Sequence, residues 1–438
     1  MQAALARAKL PPDSVSVLVV DAEGKAGPRV SHRTGAPVNP ASVAKLVTTY
    51  AALELLGPAF SWSTPVYVDG TVQAGTLTGN LYVQGQGDPK MVVERLWLLL
   101  RRVQGLGIRQ ITGDIVLDRT AFEAVDQDPA AFDGEPLRPY NAAPDALLLN
   151  FKSVVMTFVP DGEGRAQVQY EPALAGVQTQ VSVALTGGEC GDWRAALKAD
   201  FSNPARIQFA GGYPSSCGEK VWPVAYADPK SYAARAVGGV WAEIGGKLGG
   251  RVREGKVPAG LRPAFSVQSP PLAEIVRDIN KYSNNVMAQQ LFLTLSLQQK
   301  GAGTLDGSRE ILRSWWRERL GGEAPRIDNG SGLSREDRMT AQQLGALLQL
   351  AWASPLMPEL MSSLPVAGTD GTLKQLRGRS VGRAHLKTGS LRDVSAVAGY
   401  VHGASGRRYV LVAVANHVGA AAARPAFDAL IDWTARDQ

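Results

Sequence analysis

The chain has 438 residues, 45% of them apolar and 20% charged, with glycine and proline together making up about 17%. That is below the ~25–30% of low-complexity chains, so disorder is excluded as a description of the whole, and the length suits about three domains. The 46 Lys and Arg against 40 Asp and Glu give +6, a mild excess spread along the chain. Its basic pairs, Arg101-Arg102 and Arg407-Arg408, lack the interleaved aromatics of a nucleic-acid module. No nucleic-acid partner is expected, whereas peripheral contact with an anionic membrane surface or polymer stays open. No stretch reaches the ~18 apolar residues of a membrane span, the densest being Leu96–Leu100. The start, Met1 to Lys9, is broken by charges and does not read as a signal peptide. The sequence is therefore expected to be either cytosolic or a mature or trimmed form.

Residues 14–22, SVSVLVVDA, predict a largely buried strand. A helical pattern runs from Ser42 to Leu56 and stops at Gly57-Pro58. From about 64 to 260 the texture changes. Short strand-like pieces (Leu81–Gln84, Asp114–Asp118, Ser153–Val159, Ala166–Tyr170, Gln178–Leu185, Arg206–Ala210) alternate with Gly- and Pro-bounded turns around one amphipathic helix, Met91–Val103. Helical texture returns over Pro271–Asn280, Asn284–Gln298, Arg309–Leu320, Thr340–Ala353 and Thr372–Leu376. Strands follow at Arg383–Thr388, Val394–His402 and Arg408–Asn416, the last two joined by a hairpin turn at 403–406. An amphipathic helix, Ala421–Arg436, closes the chain. This order predicts an α/β domain split between 1–63 and 261–438. A β-rich insert, 64–260, interrupts it as one region or two subdomains.

Two cysteines, Cys190 and Cys217, sit in Gly/Ser/Pro-rich loop sequence. A single disulfide is expected, which leans toward an extracytoplasmic location; two free thiols in a reducing compartment are the alternative. Two cysteines and four scattered histidines do not suggest a structural zinc.

Three short motifs carry the chemistry. In Ser42-Val43-Ala44-Lys45 a spacing of three puts both side chains on one helix face. A serine hydroxyl needs a base beside it, and a lysine serves if burial or neighbouring cations lower its pKa. Taken alone, the same letters fit an N-cap serine and a solvated lysine. In Ser283-Asn284-Asn285 a hydroxyl could relay a proton and the Asn285 amide can donate and accept; a helix N-cap is the bland alternative. In Lys387-Thr388-Gly389-Ser390 a cation and a hydroxyl at a strand end can hold a carboxylate, while Gly389 lets a substrate backbone approach. A strand and turn is the alternative there. Asp88 and Asp370 read as turn-formers, His417 as structural, and Asp328 and Ser331 as support for the cleft from a loop.

The three motifs in this order follow the pattern of penicillin-binding proteins and class A β-lactamases. The chain resembles the D-alanyl-D-alanine carboxypeptidases/endopeptidases of the low-molecular-mass class C penicillin-binding proteins. The resemblance extends to Asn39–Ser42, Gly79–Val83, Gly85–Pro89, Asp328–Ser334 and Leu364–Leu373, and to the long insert. It implies a penicillin-recognising α/β (α+β) domain with a five-stranded antiparallel sheet and flanking helices.

By the same resemblance, Ser42 would attack the penultimate D-Ala carbonyl and Lys45 would take its proton. Ser283, Asn285 and Lys387 would shuttle the proton and orient substrate. Thr388 would help bind the terminal carboxylate, with Gly389 and Ser390 beside it. The Ser42 and Ser390 backbone N–H groups would form an oxyanion hole, a site type where losing one donor costs ~3 kcal/mol. Peptidoglycan peptides and β-lactams are the implied partners, no cofactor or metal is implied, and the location would be the periplasm or outer cell envelope. Asn284 stands where Asp is usual and Ser390 where Thr is common, which bears on tuning more than on activity. A β-lactamase or esterase of the same fold and a non-catalytic cell-wall-binding scaffold are the competing readings.

Overall fold

The run SVSVLVVDA forms the strand Val15–Asp21 in a computed structural model that describes residues 6–7, 9–125 and 127–437. Most of the charge-broken segment 1–9 lies outside the described residues. The chain divides into two compact units, Met1–Ser61 with Pro270–Gln438, and Trp62–Ser269. The second seam falls later than residue 260 because Pro263–Gln268 pairs antiparallel with Ser63–Gln73 inside the insert.

The split unit is built on a five-stranded antiparallel sheet in the order Ala384–Leu391, Val394–His402, Arg408–Asn416, Val15–Asp21, Val30–His32. Gly403 N–H donates to Arg407 O at 2.9 Å, closing the expected hairpin. Alternating Val15, Val17 and Val19 join Leu386, Leu411, Phe427 and Ile431 in a core between the sheet and the helix Arg424–Arg436. Helices Lys45–Leu56, Leu272–Tyr282 and Asn285–Lys300 pack together elsewhere in this unit and are heavily buried. The Lys45–Leu56 and Asn285–Lys300 helices are buried nearly all round, which is why neither shows a strong amphipathic stripe. The Ala341–Trp352 helix starts in a capping box, Thr340 with Gln343.

The insert holds a seven-stranded sheet, a five-stranded sheet and a small three-stranded one, sharing a contiguous apolar core. Cys190 and Cys217 form a disulfide within it.

Several expected elements differ. Gln178–Leu185 is two strands, because Gln178–Thr179 pairs with Arg206–Phe209 while Ser182–Thr186 pairs with Arg165–Glu171. Thr372–Leu376 is not a helix: only a 3-10 turn, Gly371–Leu373, forms, starting at the left-handed Gly371. The helix Tyr232–Glu243 escaped the sequence reading because Gly238-Gly239 depress its helical signal. A Cβ on Gly239 would sit 2.1 Å from Ala173 O, so the glycine is there for close packing.

Candidate active site

The site begins at a strained turn. Ala41–Ala44 is a 3-10 turn that runs into the helix Lys45–Leu56. Ala41 has φ +47°, a left-handed conformation costly for a residue with a Cβ. Asn39 holds it there, its Oδ1 accepting the Ala41 N–H at 2.8 Å. Asn39 is itself pinned: its N–H donates to Asn416 Oδ1 at 2.7 Å and its Nδ2 to Ser334 O at 2.8 Å. The turn leaves Ser42 half-buried, lining a cleft. Ser42 is not an N-cap and Lys45 is not solvated: Lys45 is fully buried.

Lys45 Nζ lies 2.9 Å from Ser42 Oγ and 2.7 Å from Asn285 Oδ1, and it also bonds the Ser331 carbonyl. Burial, and then the charge of Lys387, push its pKa well below the ordinary lysine value. A neutral amine has two N–H groups and one lone pair. Two partners here are carbonyl oxygens, which can only accept, and the third is a hydroxyl, which can donate. In its neutral form the amine would give both N–H groups to the two carbonyl oxygens and turn its lone pair to the Ser42 hydroxyl.

Ser283-Asn284-Asn285 is the joint between two helices. Ser283 closes Leu272–Tyr282 at φ +56°, and Asn284 caps Asn285–Lys300, its Oδ1 accepting the Met287 N–H at 3.0 Å. The capping task thus falls to Asn284 alone. Ser283 Oγ is left to accept from Lys387 Nζ at 2.9 Å, and Asn285 Oδ1 to accept from Lys45.

Lys387 and Thr388 lie on the edge strand Ala384–Leu391, which runs beyond its expected end to include Gly389 and Ser390. Lys387 is fully buried, and burial lowers its pKa to about 7. Its Nζ also donates to Thr388 O at 2.8 Å, and Thr388 Oγ1 donates to Thr372 Oγ1 at 2.7 Å. Leu386 N–H donates to Pro365 O, and Ala384 O accepts from Ala367 N–H, both away from the neighbouring strand. Backbone alternation then turns the Thr388 and Ser390 amides to the same outer edge. No strand continues alongside them among the described residues.

A Cβ on Gly389 would meet Pro40 O at 2.8 Å and Ser42 N at 3.1 Å. The missing side chain lets this strand approach the protein's own serine turn, an approach the sequence reading assigned to a substrate. The cleft is open, with an empty volume of about 820 Å³, and is lined by Ser42, Ser283, Thr372, Thr388, Ser390 and Arg424 among others.

Sequence reasoning gave Asp328 and Ser331 a supporting place and missed how close the support comes. The loop 328–337 delivers the Ser331 carbonyl to Lys45, and Gly330 O accepts from Thr48 Oγ1 at 2.8 Å one turn along the same helix. Gly332, left-handed, sits where a Cβ would be 2.0 Å from Ala41 O. Buried Asp337 was missed outright; the available signal was its nearness in sequence to that Gly-rich loop. Asp370 does shape a turn, accepting Val366 N–H at 2.8 Å, and also pairs with buried Lys281 at 2.6 Å. Asp88 accepts Lys90 N–H at 2.8 Å and pairs with Arg95 at 2.7 Å. His417 Nδ1 accepts Gly419 N–H at 3.0 Å. Among the described residues no group of three or more His, Cys, Asp or Glu side chains could hold a metal ion.

Residues 1–437 match the model of the D-Ala-D-Ala carboxypeptidase 3 (S13) family. The chain belongs to this family. A D-alanyl-D-alanine carboxypeptidase of Actinomadura sp. strain R39 is 29% identical over 412 residues, 88% of this chain and 75% of that one. The D-alanyl-D-alanine carboxypeptidase DacB of Haemophilus influenzae is 24% identical over 383 residues, 86% and 80% of the two chains. Penicillin binding protein 4 (dacB) of H. influenzae superposes with a TM-score of 0.75 at 22% identity, over 95% of this chain and 96% of that one. The penicillin G-acylated Bd3459 predatory endopeptidase of Bdellovibrio bacteriovorus, in complex with an immunity protein, gives 0.57 at 17% identity, over 97% and 93%. The fold is thus the penicillin-recognising one, and the S13 chain is a serine-type hydrolase.

Proposed function

We propose that the protein is a D-Ala-D-Ala carboxypeptidase/endopeptidase that works on peptidoglycan peptides through an acyl-serine at Ser42. The observation that carries this is the partner set of Lys45, two carbonyl oxygens and the Ser42 hydroxyl around a buried amine. In the acylation step the Ser42 O–H bond breaks and its proton passes to Lys45 Nζ. Oγ bonds to the carbonyl carbon of the penultimate D-Ala, and the carbonyl electron pair moves onto oxygen. The Ser42 and Ser390 N–H groups receive that charge. Collapse expels the terminal D-amino acid as an amine, which needs a proton; Ser283, bonded to Lys387, is the group to relay it. Thr388 holds the terminal carboxylate, and a substrate backbone extends the sheet along the outer edge of 388–390. Asn285 keeps Lys45 aimed at Ser42. A β-lactam presents its strained amide to the same serine.

The disulfide supports an extracytoplasmic location, the periplasm or outer envelope space. Among the described residues no helix is long and apolar enough to cross a membrane.

Labelled penicillin followed by peptide mapping tests the assignment. Label is expected on Ser42 and none on Ser42→Ala; label elsewhere overturns it. Release of D-Ala from a peptide ending in D-Ala-D-Ala tests the substrate, and steady turnover of penicillin without it would favour the β-lactamase reading.

A further inference from the structure

Asp337 is fully buried, yet its carboxyl is only half used. Oδ1 accepts the Asp328 N–H at 2.7 Å, while Oδ2 is buried and has no hydrogen-bond partner among the described residues. A buried carboxylate oxygen without a partner is costly, and a structural side chain at this place could have been an amide or a hydrocarbon at less cost. The loop it closes is the one that straps the catalytic turn, through Ser331 O on Lys45, Gly330 O on Thr48 and Gly332 against Ala41. Asp337 and Lys45 also act on each other electrostatically, though not as an ion pair.

The charged groups around the two are few. Lys45 feels Lys387 and Asp337; Asp337 feels Asp328, Lys45 and Arg338. Asp328 is already held by Arg309, at 2.5 Å through Oδ1 and 2.7 Å through its carbonyl. Asp337 is therefore the buried carboxylate that acts on Lys45 and, among these groups, is not committed to a cation. Burial, opposed by the Asp328 N–H, lifts its pKa to about 7.

We infer that Asp337 is a positioning residue for Lys45, its half-satisfied carboxylate supplying the negative charge against which Lys45 takes the Ser42 proton. This rests on the proposed role of Lys45. To act as a base Lys45 must be neutral before the proton arrives, a form that its burial favours. When the Ser42 proton arrives, an ammonium forms in a place already holding Lys387, and the Asp337 carboxyl, ionised above about pH 7, offsets it. Removing that charge makes the ammonium harder to form, so Lys45 becomes a weaker base with a lower pKa.

The test is the pH profile of Ser42 acylation by a fluorescent penicillin in the full chain, wild type against Asp337→Asn. The amide retains an oxygen for the Asp328 N–H. The acid limb is expected to move to lower pH by roughly one unit, with the plateau several-fold lower. A limb unmoved, or moved upward, overturns the inference whatever the rate does, because a merely structural loss lowers the rate at every pH alike. Should Asp337→Asn fail to fold, the wild-type infrared difference spectrum between free and acylated protein serves instead. A buried carboxyl band that changes on acylation supports the inference, and an unchanged carboxyl region overturns it. Acylation persisting in Ser42→Ala would instead sink the reading of the site itself.

Discussion

Four lysines are buried among the described residues, and they fall into two kinds by location. Lys152, in the insert, is 2.9 Å from Asp145, and Lys281, beneath the 364–370 turn, is 2.6 Å from Asp370. Lys45 and Lys387, at the cleft, are buried as deeply or more so. Among the described residues neither has a carboxylate within ion-pair distance; their partners are hydroxyls and carbonyl oxygens. A paired lysine stays charged and holds structure, whereas an unpaired one in the same dryness gives up its proton readily and can take one back. Burial is common to both regions. The missing counter-charge is what sets the cleft apart, and on the proposed mechanism it is what would make that region reactive.

The largest effect should come from Lys45→Met. Acylation by penicillin should fall by about 10²–10⁴-fold at neutral pH, the range for losing a positioned base. Stability should change by about 1 kcal/mol or less, because relief of a buried amine and loss of its three hydrogen bonds oppose each other. Denaturant unfolding alongside the rate measurement checks both. A large loss of stability would break the comparison, since it would make Lys45 structural.

Lys152→Met should behave in the opposite way. It strips one cation from Asp145, whose side chain is 2% exposed, while Arg119 stays. Breaking a buried pair costs about 3–5 kcal/mol, and with Arg119 retained the lower end, about 3 kcal/mol, is expected in the unfolding midpoint. The per-molecule acylation rate of the folded fraction should not change.

The pH dependence of stability separates the two kinds more finely. Lys387 has a folded pKa of about 7, below its unfolded value near 10.4. Between these the unfolded chain binds more protons than the folded one, so stability rises with pH across the window. Replacing Lys387 by Met should flatten the slope of unfolding free energy between pH 7 and about 10. An unaltered slope would mean that burial does not depress this lysine.

How much of this was legible beforehand follows the same division. The strands Val394–His402 and Arg408–Asn416 and the helix Lys45–Leu56 could be read from apolar pattern and from Gly or Pro stops, because each is a local signal. The residues Ser42, Lys45, Ser283, Asn285 and Lys387 could be named because their three motifs keep a known order. Their contacts could not be read. Lys45 meets Asn285 across 240 positions and Ser331 across 286, and nothing local encodes such distances. Asp337 was not picked out for a like reason: an acidic residue between Glu336 and Arg338 reads as solvated surface, and only the fold buries it.

The smallest effect is expected from Asn284→Asp, which puts a carboxylate in the joint that presents Ser283 to Lys387 and Asn285 to Lys45. If proximity in sequence were enough, this charge would pair with a cleft lysine, turn it into the structural kind and push the acid limb of acylation upward. The geometry argues otherwise. The Asn284 Oδ1 is committed to the Met287 N–H at 3.0 Å, at the start of the next helix. Asp caps a helix about as well as Asn, so stability should hold within about 0.5 kcal/mol. The new charge would stay on its cap, where the helix N-terminus already favours an anion. The acid limb should therefore move by less than roughly half a pH unit. A larger upward shift would show that the cleft lysines stay unpaired only because no carboxylate stands at position 284.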